Sequence, residues 1–260
     1  MNGDIGTEET LRLLRRLGSM ASQVVLVGGQ ALNFWATRYL SRSPMLRIEA
    51  PYSSHDVDFQ GRRGVAVTCA RILGGQVFQP TLDDATVSTG KVLYLDDAKQ
   101  ERQIDFLDKP HGLADHDVYG FSLPVEVEEG IEFRVMHPFH CLMSRTANVA
   151  GLPGYQSPHA LKQLRASIEC TRLYLVDLLD EGKVRAVSVW NERIFRFSRQ
   201  PWARKVYQEH SIETFGAVLV DDARLPEQFR TLRYVVMARQ IQTRRQRTAA
   251  HLLRHRKSSL

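Results

Sequence analysis

The stretch QVVLVGGQALNFW, residues 23–35, decides how this 260-residue chain reads. Gln23 to Val27 is a short apolar run rich in valine, and it reads as a buried strand. Gly28-Gly29 ends that strand, and Gln30 to Leu40 reads as a helix. A strand, two glycines and a helix start give backbone N–H groups that can point at an anion. Glycine lets the chain turn tightly there and lets a phosphate approach without a Cβ in the way.

The next decisive stretch is HDVDFQ, residues 55–60. Residues i and i+2 of a strand share a face, so Asp56 and Asp58 project side by side while Val57 and Phe59 turn to the core. Two such carboxylates repel unless a cation sits between them. Magnesium suits that place because it prefers hard oxygen ligands and keeps water and phosphate as its other partners. A third carboxylate, Asp105, stands among apolar strand residues in QIDFL, residues 103–107. Should this strand lie beside the Asp56/Asp58 strand, the three carboxylates converge. Asp108 has the opposite parity. His55 is turned away from the face of Asp56.

The order strand, Gly-Gly, helix, Asp-x-Asp strand, then a lone Asp on a later strand resembles the nucleotidyltransferase superfamily of the DNA polymerase β type. The resemblance covers about residues 20 to 110. VGGQALNFW followed by HDVDF is most similar to the branch containing AbiEii-type toxins of abortive-infection and toxin–antitoxin systems. It departs from that branch at Gln30, where serine or threonine is common, and in the long loop-like Ser41–Ser54. The resemblance implies transfer of NMP from an NTP to a hydroxyl or an RNA 3′ end, with Mg2+ (or Mn2+) held by Asp56, Asp58 and Asp105. Asp105 would assist deprotonation of the acceptor, and Gly28 and Gly29 would cradle the phosphates. Gln30, Asn33, Lys91, Arg145 and Lys162 are further candidates for nucleotide or acceptor contacts. Asn148 lies one helical turn from Arg145. Implied partners are the NTP, tRNA or another RNA, and a cognate antitoxin.

The rest of the chain frames this site. The texture changes near residue 137, which predicts an α+β fold. Residues 1–136 form a mixed sheet flanked by helices, and residues 137–260 an α-helical part. Helices are expected over Glu8–Met20, capped by Thr7, and over Val65–Leu73. Strands are expected over Gln76–Gln79, Ala85–Leu95 and Arg102–Leu107, and a hairpin over Leu123–Val127 and Ile131–Val135. Pro138–Val149, Pro158–Leu179, Val184–Ser198, Pro201–His210 and Pro226–Leu253 read as helices, several opening on proline.

No run of about 18 apolar residues predicts a membrane span, and the polar start MNGDIGTEET has no signal-peptide pattern, so a cytoplasmic protein is expected. Cys69, Cys141 and Cys170 are widely spaced and read as buried thiols. The histidines of HGLADHD (111–117) and HPFH (137–140) read as structural or capping residues. Trp35, Trp190 and Trp202 read as core. Walker A, Gly-x-Ser-x-Gly and Gly-x-Gly-x-x-Gly patterns are absent. The net charge is +6, and residues 238–260 carry Arg239, Arg244, Arg245, Arg247, Arg254, Arg256 and Lys257 without an acid. Such a tail is either a solvated helix end or a contact for nucleic-acid phosphates. Two other classes therefore stand beside the toxin-like enzyme. One is an antibiotic-type enzyme modifying small molecules. The other is a non-catalytic nucleic-acid-binding or partner-binding module on the same fold.

Overall fold

In the computed structural model, which describes residues 4–81, 87–128 and 131–258 (with 63, 127, 128, 131 and 248–258 as backbone alone), the first helix is α1, Thr7–Leu17. Its N-cap is Gly6 rather than Thr7, and the Gly6 N–H is held by Glu9 Oε2 at 3.0 Å. Thr7 instead meets Thr37, Oγ1 to Oγ1, at 2.9 Å. There follow β1 (Val25–Val27), α2 (Gly28–Arg38), α3 (Pro44–Glu49), β2 (Val57–Gln60), α4 (Arg63–Leu73), β3 (Gln76–Phe78), β4 (Ser88–Leu95) and β5 (Glu101–Leu107). Helix α5 (Asp115–Phe121), strands β6 (Leu123–Glu128) and β7 (Ile131–Val135), and helix α6 (Pro138–Gly151) continue the chain. The remaining helices are α7 (Pro158–Asp180), α8 (Val184–Ser198), α9 (Pro201–His210) and α10 (Tyr234–Ser258), the last entered through a π-helical turn, Phe229–Arg233.

The protein is thus a mixed α+β fold with a helical C-terminal part. It has two compact units, residues 1–145 and 146–260, and the division falls inside α6 rather than before it. The first unit contains a seven-stranded sheet in the order β3-β4-β5-β2-β1-β7-β6. At its centre β2 is antiparallel to β1 and parallel to β5, and β1 is parallel to β7. The outer pairs β3–β4, β4–β5 and β6–β7 are antiparallel.

Strand parity gives the sheet two different faces. Val57, Ile104 and Val92 are register partners and are all buried, as are Phe59 and Phe106 one step along. The Phe59 and Phe106 rings lie 5.9 Å apart. Helix α4 closes on this apolar face over Gly90, where an added Cβ would stand 2.8 Å from the Ala66 Cβ. Buried Arg102 is on the same face, and its guanidinium is met by Glu9 at 3.0 Å and Asp96 at 2.9 Å. The alternate parity sends Asp58 and Asp105 to the other face. Helix α2 is tied to the end of β7 by Trp35, whose indole N–H donates to the Met136 carbonyl at 2.8 Å.

Several local expectations need correction. The glycines form the first turn of α2 instead of preceding it. Residues 41–54 are not a plain loop: Ser43 caps the short helix α3 through the Leu46 N–H. Helix α5 has no counterpart in the sequence reading. Of the three tryptophans Trp35 is buried, but Trp202 is 36% exposed. Residues 85–86 of the expected strand and the turn residues Glu129 and Gly130 lie outside the described residues, as do the side chains of Arg254, Arg256 and Lys257. Cys69, Cys141 and Cys170 are buried thiols outside any disulfide, and burial pushes the first two up to about 12. Among the described residues no helix is long and apolar enough to cross a membrane.

In the second unit, Ser157 caps α7 and Pro158 fills its first position, where a missing N–H costs nothing. Fully buried Asn191 on α8 holds the Leu219 backbone at both ends. Its amide donates to the Leu219 carbonyl and its Oδ1 accepts from the Leu219 N–H, each at 2.9 Å. Asn191→Ala strands two buried backbone groups, and at ~1–3 kcal/mol each the loss should be about 3 kcal/mol. A urea titration followed by circular dichroism reads this as a lower midpoint; an unchanged midpoint would show the Leu219 tie to be dispensable.

Candidate metal and nucleotide site

The register of four neighbouring strands places Val27, Asp58, Asp105 and Lys91 in one row across the sheet. Asp58 sits directly beside Asp105, and Asp105 directly beside Lys91. Asp56, two residues before Asp58, immediately precedes β2 and shares its parity. An oxygen from each of Asp56, Asp58 and Asp105 lies within 4.8 Å of the others. All three residues are half-buried.

Each carboxylate is positioned by a different device. Asp58 accepts from the Gly29 N–H at the start of α2. Gly28 has φ +64 and packs so close that a Cβ there would stand 1.9 Å from the Asp58 Oδ2. Only glycine satisfies both the left-handed backbone and the contact. Asp105 accepts from the Gln103 amide at 2.6 Å, and its other oxygen faces Lys91 Nζ at 4.0 Å. Asp56 accepts from the Ser54 hydroxyl at 3.3 Å.

Gln30 is buried under this row and holds backbone there. It is 1% exposed, and its amide donates to the Ile5 carbonyl at 2.9 Å and the Asp56 carbonyl at 3.4 Å. Its Oε1 accepts from buried Asn33 at 3.2 Å, so that residue is also turned inward. Arg145, buried on α6, acts electrostatically on Asp58. Lys162 belongs to α7 of the second unit and is not among the residues gathered in the first. His55 is exposed and turned to Asp4, Nδ1 to Oδ1, at 2.7 Å. His137 accepts the Phe139 N–H at 3.1 Å and so caps the start of α6.

Sequence reasoning missed Gln103 and Ser54. Gln103 had a usable signal, since it stands two residues before Asp105 and shares its face. Ser54 had none, because its contact depends on a bend before β2.

The electrostatics follow from crowding. Burial first, then the charges of Asp56 and Asp105, push the Asp58 carboxyl up to about 7, against the pull of Arg145 and the Gly29 N–H. Asp105 is also raised, chiefly by burial and further by Asp56, while Gln103 and Lys91 oppose the shift. Among the described residues, Arg145 acts on Asp58 and Lys91 on Asp105, and neither outweighs the burial and mutual repulsion that push both carboxyls up. Hard oxygen donors at this spacing, half-buried and under-compensated, fit a divalent cation of the magnesium or manganese type.

No family model matches the chain, and no curated protein matches it. Among solved structures it is similar to JHP933 from Helicobacter pylori, at 17% identity and a TM-score of 0.38 over 96% of each chain. A likeness at that level carries neither a fold nor an activity across.

Two outcomes test the site. Between its ordinary value of 3.8 and about 7, Asp58 holds a proton in the folded protein that the unfolded chain has released. Stability present at low pH is therefore lost as pH rises toward 7. In the presence of chelator, the melting temperature should fall by roughly a few degrees between pH 5 and 8. Asp58→Asn should flatten that decline and remove the stabilisation given by added Mn2+. Equal slopes for the two proteins would rule out Asp58 as the titrating group. Gly28→Ala should weaken Mn2+ binding at least tenfold, on the order of 1.4 kcal/mol, while Gly29→Ala, whose backbone φ is not left-handed, should do less. Calorimetric titration separates the two.

Proposed function

We propose that the protein is a divalent-metal-dependent nucleotidyltransferase that moves NMP from an NTP to an acceptor hydroxyl. The observation that carries this reading is the convergence of Asp56, Asp58 and Asp105 within 4.8 Å of one another, directly beside the glycine start of α2. Carboxylate triads occur without this reaction. A triad built against a helix N-terminus, with Lys91 and Arg145 beside it, suits a polyphosphate.

Each residue then has a stated task. Asp56, Asp58 and Asp105 would hold Mg2+ or Mn2+. When bound, such a cation neutralises phosphate charge and lowers the pKa of a coordinated hydroxyl. Asp105 has its proton affinity raised by burial, and Gln103 fixes its Oδ2. It is the base suited to receive the acceptor proton. Lys91, 4.0 Å from Asp105 and half-exposed, is able to swing to a phosphate oxygen. Arg145 supplies fixed positive charge behind Asp58. Gly28 has no side chain to displace the Asp58 carboxylate at the start of α2, and the Gly29 N–H is committed to that carboxylate. Gln30 and Asn33 support the backbone. In-line attack of the acceptor oxygen on the α-phosphorus forms the new P–O bond, and the α–β bridging bond breaks to release pyrophosphate. Catalysis of this kind is mainly positioning and charge neutralisation, so removing one carboxylate is severe.

The acceptor defines the finer proposals, an RNA end as in the toxin-like branch or a small molecule. Incubation with each α-labelled NTP, Mg2+, total RNA and the protein itself tests the reaction. Asp56→Ala and Asp58→Ala should each reduce label transfer by three or more orders of magnitude (~4 kcal/mol or more) with the fold intact by circular dichroism. Transfer at the wild-type rate by both variants would sink the mechanism.

A further inference from the structure

We infer that Asp4 and Ile5 form a strap that positions Asp56 for a cation, so that seating of this segment and metal binding strengthen each other. This role rests on the metal reading of Asp56, Asp58 and Asp105 and adds a regulating element to that site.

Asp56 differs from the other two acids in what holds it. Asp58 and Asp105 are direct register partners inside the sheet. Strand β2 begins at Val57, and among the described residues no ladder pair includes Asp56. The segment before α1 does the holding instead. Ile5 and Ser54 form an isolated antiparallel bridge. The Ile5 N–H donates to the Ser54 carbonyl at 2.7 Å, and the Ser54 N–H donates to the Ile5 carbonyl at 3.1 Å. The Gln30 amide spans the Ile5 and Asp56 carbonyls. The Ser54 hydroxyl, placed by the bridge, donates to Asp56 Oδ1. Asp4 holds the residues on either side of Ser54. Its Oδ2 accepts from the Ser53 hydroxyl at 2.6 Å, and its Oδ1 meets His55 Nδ1 at 2.7 Å.

These contacts are not equal. The His55 side chain is 86% exposed, and an ion pair of that kind adds little. Ile5 is 3% exposed, so burial of its side chain anchors the bridge and shields it from water. The next residue, Gly6, is the N-cap of α1, and Glu9 holds its N–H. A helix therefore sets Ile5, Ile5 sets Ser54, and Ser54 with Gln30 sets Asp56. Release of the bridge frees the Ser54 hydroxyl and the Asp56 main chain together, which leaves two placed carboxylates where a hard dication had three. Linkage is reciprocal: a bound cation holds the strap down by the same factor that a seated strap adds to cation affinity.

The test uses the full chain with Mn2+ and no NTP, so it stands apart from the transfer reaction. Hydrogen exchange at the Ile5 and Ser54 amides should slow roughly tenfold in saturating Mn2+. Asp58→Asn protein should show no such slowing. In calorimetric titration Ile5→Ala should weaken Mn2+ binding roughly tenfold. Ile5→Val keeps most of the buried contact and should stay within about twofold of wild type, and Asp4→Ala should do less than Ile5→Ala. Leu73→Ala, a truncation of similar burial at the end of α4, should bind as wild type does. Mn2+ binding by the wild type with unchanged exchange at Ile5 and Ser54 would overturn the strap and leave the metal reading standing. So would wild-type affinity in Ile5→Ala, or an equal loss in Leu73→Ala. No Mn2+ binding by the wild type would overturn the metal reading and the strap with it.

Discussion

Three carboxylates on one sheet face, close enough to share an ion, are the constraint that shapes the first unit. Two unit charges at about 5 Å repel by roughly 3 kcal/mol at an effective dielectric near 20, and three carboxylates make three such pairs. The surrounding residues act on this repulsion. Gln103 donates to Asp105, Ser54 to Asp56 and the Gly29 N–H to Asp58. Lys91 and Arg145 supply positive charge. Even so, Asp58 is pushed up to about 7. A half-buried cluster of like charges thus costs the fold stability that apolar residues of similar size would not.

The parity of the Asp56/Asp58 pair, the apolar partners Val57 and Phe59, and the Asp105 strand were all readable from alternation, which is a local property. Their convergence was not, because it depends on β2 and β5 being parallel neighbours, and no residue in either strand encodes that. Lys91 is the sharper case. It faces Asp105 through the antiparallel register of β4 and β5, set by the turn at 96–100, where Lys99 has φ 61. The sequence offered Lys91 only as a nearby cation.

Gln30 shows the opposite error. A polar residue after two glycines reads as a ligand contact, yet the fold uses its amide to join Ile5 and Asp56. One side-chain amide joins two separate segments while its oxygen accepts from its own helix, and that demand is invisible in a one-dimensional pattern. Helix α5 escaped for a simpler reason. Seven residues with two acidic groups in the first turn make too short a period to stand out, and Gln60 fixes it from outside by donating to the Asp115 and Asp108 carbonyls. The helical unit was easier to read because its helices are long and begin on proline or a serine cap. What could not be read there was which arginines stay structural. Arg245 and Arg244 are neighbours in the chain, but one turns to Glu213 and the other enters a cluster of its own sign.

Gly28-Gly29 and Asp-x-Asp are separated by 28 positions in sequence between Gly28 and Asp56 but form one steric unit. In the usual account of a glycine turn, the missing side chain makes room for a phosphate. Here the space beside Gly28 is taken by the Asp58 carboxylate, which would overlap any Cβ. The adjacent N–H of Gly29 then holds that carboxylate in place. The glycines therefore serve the acid before they serve any anion from outside. This makes the pairing more specific than either motif alone. A structural Gly-Gly turn needs no carboxylate against it, and a surface Asp-x-Asp needs no glycine. A chain that has both, in contact, has spent its conformational freedom on placing Asp58 beside Asp105.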